Sequence, residues 1–436
     1  MIRNTSLRFD FSLLIASLLL VLIGILFIYS SGVTSTGVVY SSEYIKQSIW
    51  AIVGFILLIA LSFIDYHRYK EWAFRIYFIN LFLLILTLLF GKVVHGSKSW
   101  LGIWELGIQP SEFMKVSTIL YLAYLIQTYP KLLDSWIGFF LSFIVVLVPI
   151  ALILLQPDFG TALVFLPIFF FIVFSAGAKL EYVLFLLFTG GLAILFTLLP
   201  LYGSLIGTRT PHLLVRLGES DIKLFLLALF GGVTLFSFLG LLITKKQYLF
   251  RVGYVGLILS LGIGISFVLR RFLKQYQLMR LLVFLNPSID PRGAGWNIIQ
   301  SLTAVGSGGL WGKGFLKGPH SHFRYIPQQS TDFIFSIIAE EWGFVGSALV
   351  LILFATILFR GLRIMRVCKD PFVLYAGSGI VGMIFFHLMV NMGMVMGIMP
   401  ITGIPLFFLS YGGSSLITVL LSIGLLSSFY LHRYKY

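Results

Sequence analysis

Long apolar runs alternate with short polar connections along almost the whole chain. A helix needs about 20 apolar residues to cross the hydrocarbon core of a bilayer. The pattern therefore predicts twelve membrane-spanning helices, and together they predict an all-α polytopic membrane protein, a single integral membrane domain over residues 1–436. The predicted spans lie near residues 11–30, 46–65, 74–91, 112–128, 137–155, 160–177, 181–200, 223–244, 252–270, 333–359, 372–397 and 404–431.

The composition supports this interpretation. Hydrophobic residues make up 59% of the chain and charged residues 11%, with a mean hydropathy of +1.01. A soluble domain has too little interior to hide so much apolar surface. The run at 11–30 is longer than a signal-peptide core and has no convincing small-residue cleavage site, so we expect it to remain as a helix. The single Cys368 excludes a disulfide framework and a multi-cysteine metal site.

Basic residues in the short loops predict the orientation. Because cytoplasmic loops carry an excess of Lys and Arg, the connections around Arg68, Lys245 and Arg363 are expected on the cytoplasmic side. An even number of spans then places both termini in the cytoplasm. The connections at 92–111 and 201–222, together with the long segment 271–332, are expected to face outward.

The segment 271–332 differs from the rest of the chain. It is rich in Gly, Pro, His and basic residues and contains one carboxylate before Asp332. Loops of this length are usually functional or disordered. We therefore predict a large extracytoplasmic loop that carries the chemical site.

The net charge of +15 favours an external anionic ligand over nucleic acid. The basic residues are dispersed among loops, which argues against a nucleic-acid surface. About half of them account for the orientation, whereas the outward-facing ones are not required for it. Those cations suit a lipid-linked phosphate or an anionic headgroup, and simple contact with membrane lipids is the alternative for any one of them. They are Arg209, Arg216, Arg270, Arg271, Lys274, Arg280, Arg292, Lys313, Lys317 and Arg324.

Two breaks between spans place ionisable groups near the predicted outer boundary. Asp158 lies in a tight connection after Pro157, where it is expected either to cap the next helix or to face substrate. Glu112 and Lys115 share one face of a helix that begins at Pro110. Glu112 suits a helix start, but Lys115 enters an apolar run, where its candidate partners are Glu112, Asp158 and a substrate phosphate.

A polar, Gly-rich break also interrupts the last apolar region, at residues 402–415. Close helix packing is the default interpretation, and a cavity for a polar headgroup is the alternative. Glu340 and Glu341 lie within the tenth span, and at least one of them is expected to be paired.

Six ordered motifs resemble the SEDS family of shape, elongation, division and sporulation proteins over nearly the whole chain. The segment at 309–318, GLWGKGFLKG, is more similar to the RodA elongation branch than to the FtsW division branch. One departure is expected, because the two spans near 223–270 are additional to a ten-span family pattern. The motifs are GSKSW at 96–100, QPSEFMK at 109–115, QPDFGTA at 156–162, NPSIDPRGAGWNIIQS at 286–301, IPQQSTDFIF at 326–335 and ITGIPLFFLSYGGSS at 401–415.

The resemblance implies a peptidoglycan glycosyltransferase of the bacterial cytoplasmic membrane. Such an enzyme polymerises lipid II on the outer face, usually beside a class B penicillin-binding protein, and an FtsW-like division polymerase is the alternative within the family. The family's catalytic carboxylate falls on Asp290. No cofactor is identified, and the sequence does not show whether a divalent cation is needed. We predict substrate contacts at Trp100, Glu112, Lys115, Asp158, Arg280, Arg324, Thr331, Asp332, Ser410 and Tyr411.

The chemistry of the residues agrees with Asp290 as the base. Glycan extension needs a group that removes a proton from a sugar hydroxyl while a polyprenyl pyrophosphate leaves. Asp290 is the only carboxylate between Asp221 and Asp332, and it lies among cations suited to pyrophosphate. The rival interpretation is a turn, since Asp-Pro followed by Arg-Gly is typical of turns.

Two other classes of protein also fit the composition. A transporter of lipid-linked sugars would have many spans with intramembrane charges, but the chain shows no inverted repeat and its polar groups concentrate on one predicted side. A noncatalytic scaffold that recruits cell-wall enzymes is the third possibility.

Overall fold

The computed structural model is almost entirely helical. It describes residues 9–94, 97–102, 107–206, 216–273, 275–286, 290, 293–323 and 325–434. These residues form two compact units, Met1–Ala178 with Asn297–Tyr436, and Lys179–Trp296. That the whole chain acts as a single membrane domain stays a prediction.

The first unit contains most of the long helices. Before residue 178 they are α1 Phe11–Ser31, α2 Glu43–Phe63, α3 Tyr66–Phe90, α4 Pro110–Thr128, α5 Trp136–Leu155 and α6 Phe159–Ser175. A short hairpin of β1 Lys92–Val94 and β2 Ser97–Trp100 joins α3 to α4, and a 3-10 turn, Pro130–Asp134, precedes α5.

The second unit consists mainly of three long helices. They are α7 Leu180–Ile206, α8 Ser220–Thr244 and α9 Gln247–Phe272, followed by the shorter α10 Gln275–Leu285. Helix α11 Ala294–Gly308 begins in this unit and continues into the first one. The first unit then resumes with α12 Pro319–His322, α13 Ile334–Val367, α14 Pro371–Val395 and α15 Gly413–Leu431.

Twelve helices lie at the positions of the twelve predicted spans. Within the described residues, ten of them are long and apolar enough to cross a membrane. The other two are α6, which has 17 residues, and α4, whose first turns carry Glu112 and Lys115. The all-α polytopic fold predicted from the sequence is confirmed.

Helices α14 and α15 are the centre of the first unit. In the most apolar stretch of each helix, 72% of the α14 residues and 83% of the α15 residues are buried, compared with 22% in α3. Lipid-facing helices need only one packed face, whereas a helix surrounded by others is buried on every side. Polar side chains on α14 are therefore enclosed by protein.

The segment 271–332, predicted to form a large extracytoplasmic loop, contains helices that the sequence did not indicate, and its role as that loop stays a prediction. Helices α10, α11 and α12 occupy many of its described residues, and α9 extends to Phe272. Glycines and prolines dominate the composition of the segment, but they lie mainly between these helices. The last predicted span, 404–431, also begins later than expected, at Gly413, because residues 401–412 form the irregular break that the sequence indicates.

Helix α13 is broken at Gly343, which has φ 64° and ψ −157°. The break interrupts the helical hydrogen bonding, and the loop 309–314 supplies replacements. The amides of Lys313 and Gly314 donate to the carbonyls of Glu340 and Glu341, each at 3.0 Å. In return, the amides that follow Gly343 donate to the loop carbonyls of residues 309 and 310 at 2.9 and 3.1 Å. Only glycine readily adopts this backbone conformation.

Two prolines inside helices leave carbonyls without donors, and side chains from neighbouring helices satisfy them. A proline has no N–H, so the carbonyl four residues earlier loses its helical partner. For Pro149 this is the carbonyl of Val145, which accepts from the Tyr77 hydroxyl at 2.7 Å. For Pro200 it is the carbonyl of Phe196, which accepts from the ammonium of Lys223.

Candidate active site

Asp290 lies in a turn just before helix α11. Its carbonyl accepts hydrogen bonds from the amides of Gly293 at 3.3 Å and Gly295 at 3.0 Å. Its carboxylate packs against Gly293 so closely that a Cβ at that position would lie 2.2 Å from Oδ2. The turn predicted from the sequence is therefore present, and it holds a half-buried carboxylate at a helix start, where the helix dipole favours negative charge.

The turn and the catalytic interpretation are compatible, because the backbone makes the turn while the side chain provides the carboxylate. Asp290 belongs to the second unit, as does Arg280, which is half-buried on α10. Arg324 lies outside the described residues. The role of Asp290 as a base stays a prediction.

In the first unit, Glu112 and Lys115 form a buried ion pair. Lys115 Nζ lies 2.7 Å from Glu112 Oε1. The Lys115 side chain is 0% exposed and the Glu112 side chain is 3% exposed. The three-residue spacing in the sequence made Glu112 one of three candidate partners of Lys115. Because the ammonium is enclosed by protein, contact between Lys115 and a substrate phosphate needs a rearrangement of its surroundings and stays a prediction.

His387 on α14 is the second polar partner of Lys115. Its Nε2 lies 3.2 Å from Lys115 Nζ, and its Nδ1 lies 2.9 Å from the carbonyl oxygen of Pro405. A carbonyl can only accept, so Nδ1 carries the proton. An ammonium can only donate, so Nε2 is the acceptor. His387 is therefore a neutral ring in a fixed tautomer, stacked on Phe407 with ring centroids 3.6 Å apart.

One turn further along α14, Asn391 holds two segments of irregular backbone. Its amide nitrogen donates to the carbonyls of Asp332 at 2.9 Å and Ile404 at 2.8 Å. His387 and Asn391 are both fully buried. Side chains four residues apart lie on the same helix face, and together these two fix the path of residues 404–405.

The segment after Ile404 is also fixed by contacts with two other parts of the unit. The amide of Tyr411 donates to the carbonyl of Ser330 at 2.8 Å. The Gln47 side chain accepts from the amide of Gly412 and donates to the carbonyl of Ser410, each at 3.1 Å. The structure thus brings Ser410 and Tyr411 close to the segment that contains Thr331 and Asp332. A shared substrate site would require these four predicted residues to lie near one another.

Asp158 caps helix α6, as the sequence indicates. Its Oδ1 accepts from the amide of Thr161 at 3.1 Å, and its Oδ2 accepts from the Thr161 hydroxyl at 2.9 Å. Oδ2 also accepts from the Gln109 side chain at 2.8 Å, which links α6 to the start of α4. Asp158 remains half-buried. Trp100, also half-buried, ends β2 and packs its ring against Gly107.

Glu340 and Glu341 are both paired, which confirms the expectation for at least one of them. Glu340 accepts from the amides of His320 and Ser321 at 2.9 and 3.1 Å, so it caps the short helix α12. Glu341 accepts from the Ser30 hydroxyl and the Leu316 amide. These carboxylates hold the loop 309–323 against the broken helix α13.

Sequence reasoning missed His387, Asn391, Gln47 and Gln109. A signal existed for the first two, since a His and an Asn four residues apart interrupt an otherwise apolar run, and polar groups at membrane depth are costly. Their backbone partners could not be predicted from the sequence, because those contacts join distant segments. Within the described part of the chain, no group of three or more metal-binding side chains is present.

Comparison with known proteins identifies the family. A sequence profile named for FtsW, RodA and SpoVE and described as cell cycle protein matches residues 11–206 and 225–435. The peptidoglycan glycosyltransferase RodA of Treponema pallidum (strain Nichols) is 47% identical over 431 residues, which is 98% of each chain.

Solved structures agree over the full length. One, described as showing structural coordination of polymerization and crosslinking by a peptidoglycan synthase complex, has a TM-score of 0.66 and 28% identity, and the match covers 98% of this chain and 99% of the other. The crystal structure of Thermus thermophilus rod shape determining protein RodA has a TM-score of 0.60 and 25% identity, covering 99% of both chains.

These matches confirm the resemblance and correct one expectation drawn from it. The spans near 223–270 were predicted to be additional to the family pattern. The family profile matches continuously from residue 225, so it includes nearly all of α8 and the whole of α9. That prediction was wrong, because apolar helices alone do not show which of them a family shares. The chain belongs to the FtsW/RodA/SpoVE family of cell cycle proteins.

Proposed function

We propose that this chain is a peptidoglycan glycosyltransferase that polymerises lipid II into glycan strands during cell elongation. The observation that carries the proposal is full-length similarity to a peptidoglycan glycosyltransferase RodA at 47% identity. Two solved structures matched over almost their whole length support the same assignment. The elongation branch is favoured by that relative, and FtsW-like division activity is the alternative.

In the proposed reaction Asp290 is the general base. Its carboxylate takes the proton from a sugar hydroxyl of the acceptor as that oxygen attacks the anomeric carbon of the donor. The bond between this carbon and the pyrophosphate oxygen breaks, and the polyprenyl pyrophosphate leaves with the electron pair. The half-buried carboxylate at the start of α11, within a segment rich in cations, supports this role.

The remaining site residues have two proposed roles. Asp158, Trp100, Thr331, Asp332 and Tyr411 are half-buried and are proposed to contact substrate. Buried groups are better suited to positioning. The buried residues, which are proposed to position the substrate-contacting ones, are Glu112, Lys115, Ser410, His387 and Asn391. Of these, His387 and Asn391 hold the backbone segments that contain Asp332 and Ser410.

The proposed orientation places both termini in the cytoplasm of a bacterial inner membrane. The short loops rich in Lys and Arg support this orientation. The polymerising face is then the outer one, and the order of the predicted spans assigns to that side the connections that contain Asp158 and Asp290 and the break at 402–415. Lipid II is the proposed substrate, and a class B penicillin-binding protein is the proposed partner, supported by the similar chain in a peptidoglycan synthase complex.

The test is a gel assay of glycan products made from lipid II by the purified protein in detergent, with and without its cognate penicillin-binding protein. Polymer formation without a bilayer supports an enzyme, because a transporter or a scaffold makes no glycan. Parallel reactions with EDTA test dependence on a divalent cation. Absence of polymer under both partner conditions, from protein that remains folded, would contradict the proposal.

A further inference from the structure

Lys223 is a buried cation in the Lys179–Trp296 unit that the proposed reaction does not use. It lies in the first turn of α8, and its side chain is almost fully buried, at 3% exposed. Its ammonium donates to the carbonyl of Phe196 and lies 5.8 Å from the centre of the Phe267 ring. All of these residues belong to the same three-helix bundle of α7, α8 and α9.

The hydrogen bond to Phe196 explains a donor at position 223 but not a charge. Pro200 removes the usual donor to that carbonyl, so some side chain must supply one. At the equivalent break in α5, a neutral tyrosine hydroxyl does so, from Tyr77 to Val145. An ammonium in the same role adds the cost of removing a full charge from water.

No described carboxylate lies within ion-pair distance of Lys223, in contrast to the other buried lysine, Lys115, which has Glu112 at 2.7 Å. The adjoining stretch 207–215 contains no Asp or Glu in its sequence. Besides the larger cost of burial, the described charge that acts on Lys223 is repulsive, from Arg270 in the last turn of α9. The positive end of the α8 dipole adds to this repulsion.

We propose that Lys223 and Arg270 form a binding site for the phosphate group of a membrane lipid. Arg270, which is exposed, provides a charged donor at the surface, and a phosphate bound there supplies the missing negative charge. Lys223 is enclosed by protein, as Lys115 is, so direct contact between phosphate and its ammonium requires the side chains around it to rearrange. Lys223 and Arg270 both lie at the helix ends that the proposed orientation places at the outer headgroup level, where lipid phosphates are located.

Two kinds of lipid carry this chemistry, an anionic phospholipid and a polyprenyl pyrophosphate. The proposed phosphate site does not depend on glycosyltransferase activity, because an ordinary bilayer phospholipid also carries a phosphate group. Lys223 also lies in the stretch 207–224, which the family profile does not match.

The experiment is a lipid-binding titration of the purified full-length protein by native mass spectrometry in detergent. The probes are dioleoyl phosphatidylglycerol and undecaprenyl pyrophosphate, with phosphatidylcholine as the reference without net charge. Lys223→Gln keeps a donor for the Phe196 carbonyl but removes the charge, and Arg270→Gln removes the second cation. Lys92→Gln, at an exposed position in the other unit, is the matched control.

We expect Lys223→Gln and Arg270→Gln each to weaken binding of at least one anionic probe by about tenfold or more, the usual scale for a charge-assisted hydrogen bond. Loss for phosphatidylglycerol identifies a structural lipid, and loss for undecaprenyl pyrophosphate alone identifies a substrate or product site. The proposal is overturned if Lys223→Gln binds both probes as tightly as Lys92→Gln does. Glycan synthesis by the same variants is scored separately, so failure of this site leaves the proposed function untouched.

Discussion

Removing Glu112 should destabilise the protein by leaving the Lys115 ammonium buried without a counter-charge. In the folded protein, Lys115 Nζ lies 2.7 Å from Glu112 Oε1, and neither side chain is more than 3% exposed. His387 remains as an acceptor at 3.2 Å, but its neutral ring provides no negative charge. Glu112→Gln keeps the size of the side chain and removes its charge.

The expected magnitude follows from this geometry. At an effective dielectric constant of 20, two unit charges separated by this distance attract with about 6 kcal/mol. Breaking a buried pair by removing one partner typically costs about 3–5 kcal/mol, because the other ion stays desolvated. We expect Glu112→Gln to lose an amount in that range. The double variant Glu112→Gln/Lys115→Met, which contains neither ion, should recover most of it.

The assay is reversible unfolding of the purified variants in mixed micelles, analysed as a double-mutant cycle. Glu71→Gln, at an exposed position on α3, is the control and should stay close to the parent. The role of the ion pair is refuted if Glu112→Gln unfolds within about 1 kcal/mol of the parent, or if the double variant is less stable than Glu112→Gln.

Three further predictions concern the fold. Tyr77→Phe should cost about 1–3 kcal/mol in the same unfolding assay, because it leaves the part-buried Val145 carbonyl beside a helix proline without a donor. An unchanged free energy of unfolding would contradict this. Gly343→Ala should lower thermal stability far more than Gly190→Ala, because a Cβ at position 343 would lie 2.3 Å from a backbone nitrogen, whereas a Cβ at position 190 would meet no atom within 4 Å. Equal thermal unfolding midpoints for the two variants would refute the close packing at Gly343. Burial raises the pKa of the Cys368 thiol to about 11, so its alkylation by iodoacetamide at pH 8 should be slow in the folded protein. The rate should increase as the pH rises towards 11, and at pH 8 it should become fast after unfolding in SDS. Fast labelling of the folded protein at pH 8 would contradict this prediction.

Much of the fold could be predicted from the sequence, because an apolar run of about 20 residues is rarely compatible with anything but a membrane-spanning helix. Contacts within one helix could be predicted as well. Spacing placed Glu112 and Lys115 on one helix face and made Glu112 one of three candidate partners for Lys115. It likewise made capping of α6 one of two candidate roles for Asp158. Each depends on residues a few positions apart, for which helix geometry fixes the distance.

Contacts between distant segments could not be predicted in this way. His387 and Asn391 were overlooked because their partners are backbone carbonyls at 405, 404 and 332, which no side-chain pattern reveals. The start of α15 was misplaced for the same reason. Residues 404–412 are apolar enough for a helix, but His387, Asn391 and Gln47 hold their backbone in an irregular path.

The helices within the segment 271–332 were not predicted for a different reason. Its glycines and prolines dominate the composition, which is typical of loops. Helix α11 nevertheless forms between two of the glycine-rich stretches, and Asp290 supplies the turn that precedes it. Asp290 stands out in the sequence as the single carboxylate of the region, whereas its packing against Gly293 required the structure.

The most direct test of the proposed mechanism is the rate of glycan synthesis from lipid II by purified Asp290→Asn beside the parent protein, with membrane insertion and thermal stability measured on the same samples. A positioned general base contributes roughly a hundred- to ten-thousand-fold to a rate. We predict a loss of that size with insertion and stability unchanged. A folded, inserted Asp290→Asn variant that makes polymer at close to the parent rate would contradict the assignment of Asp290 as the base.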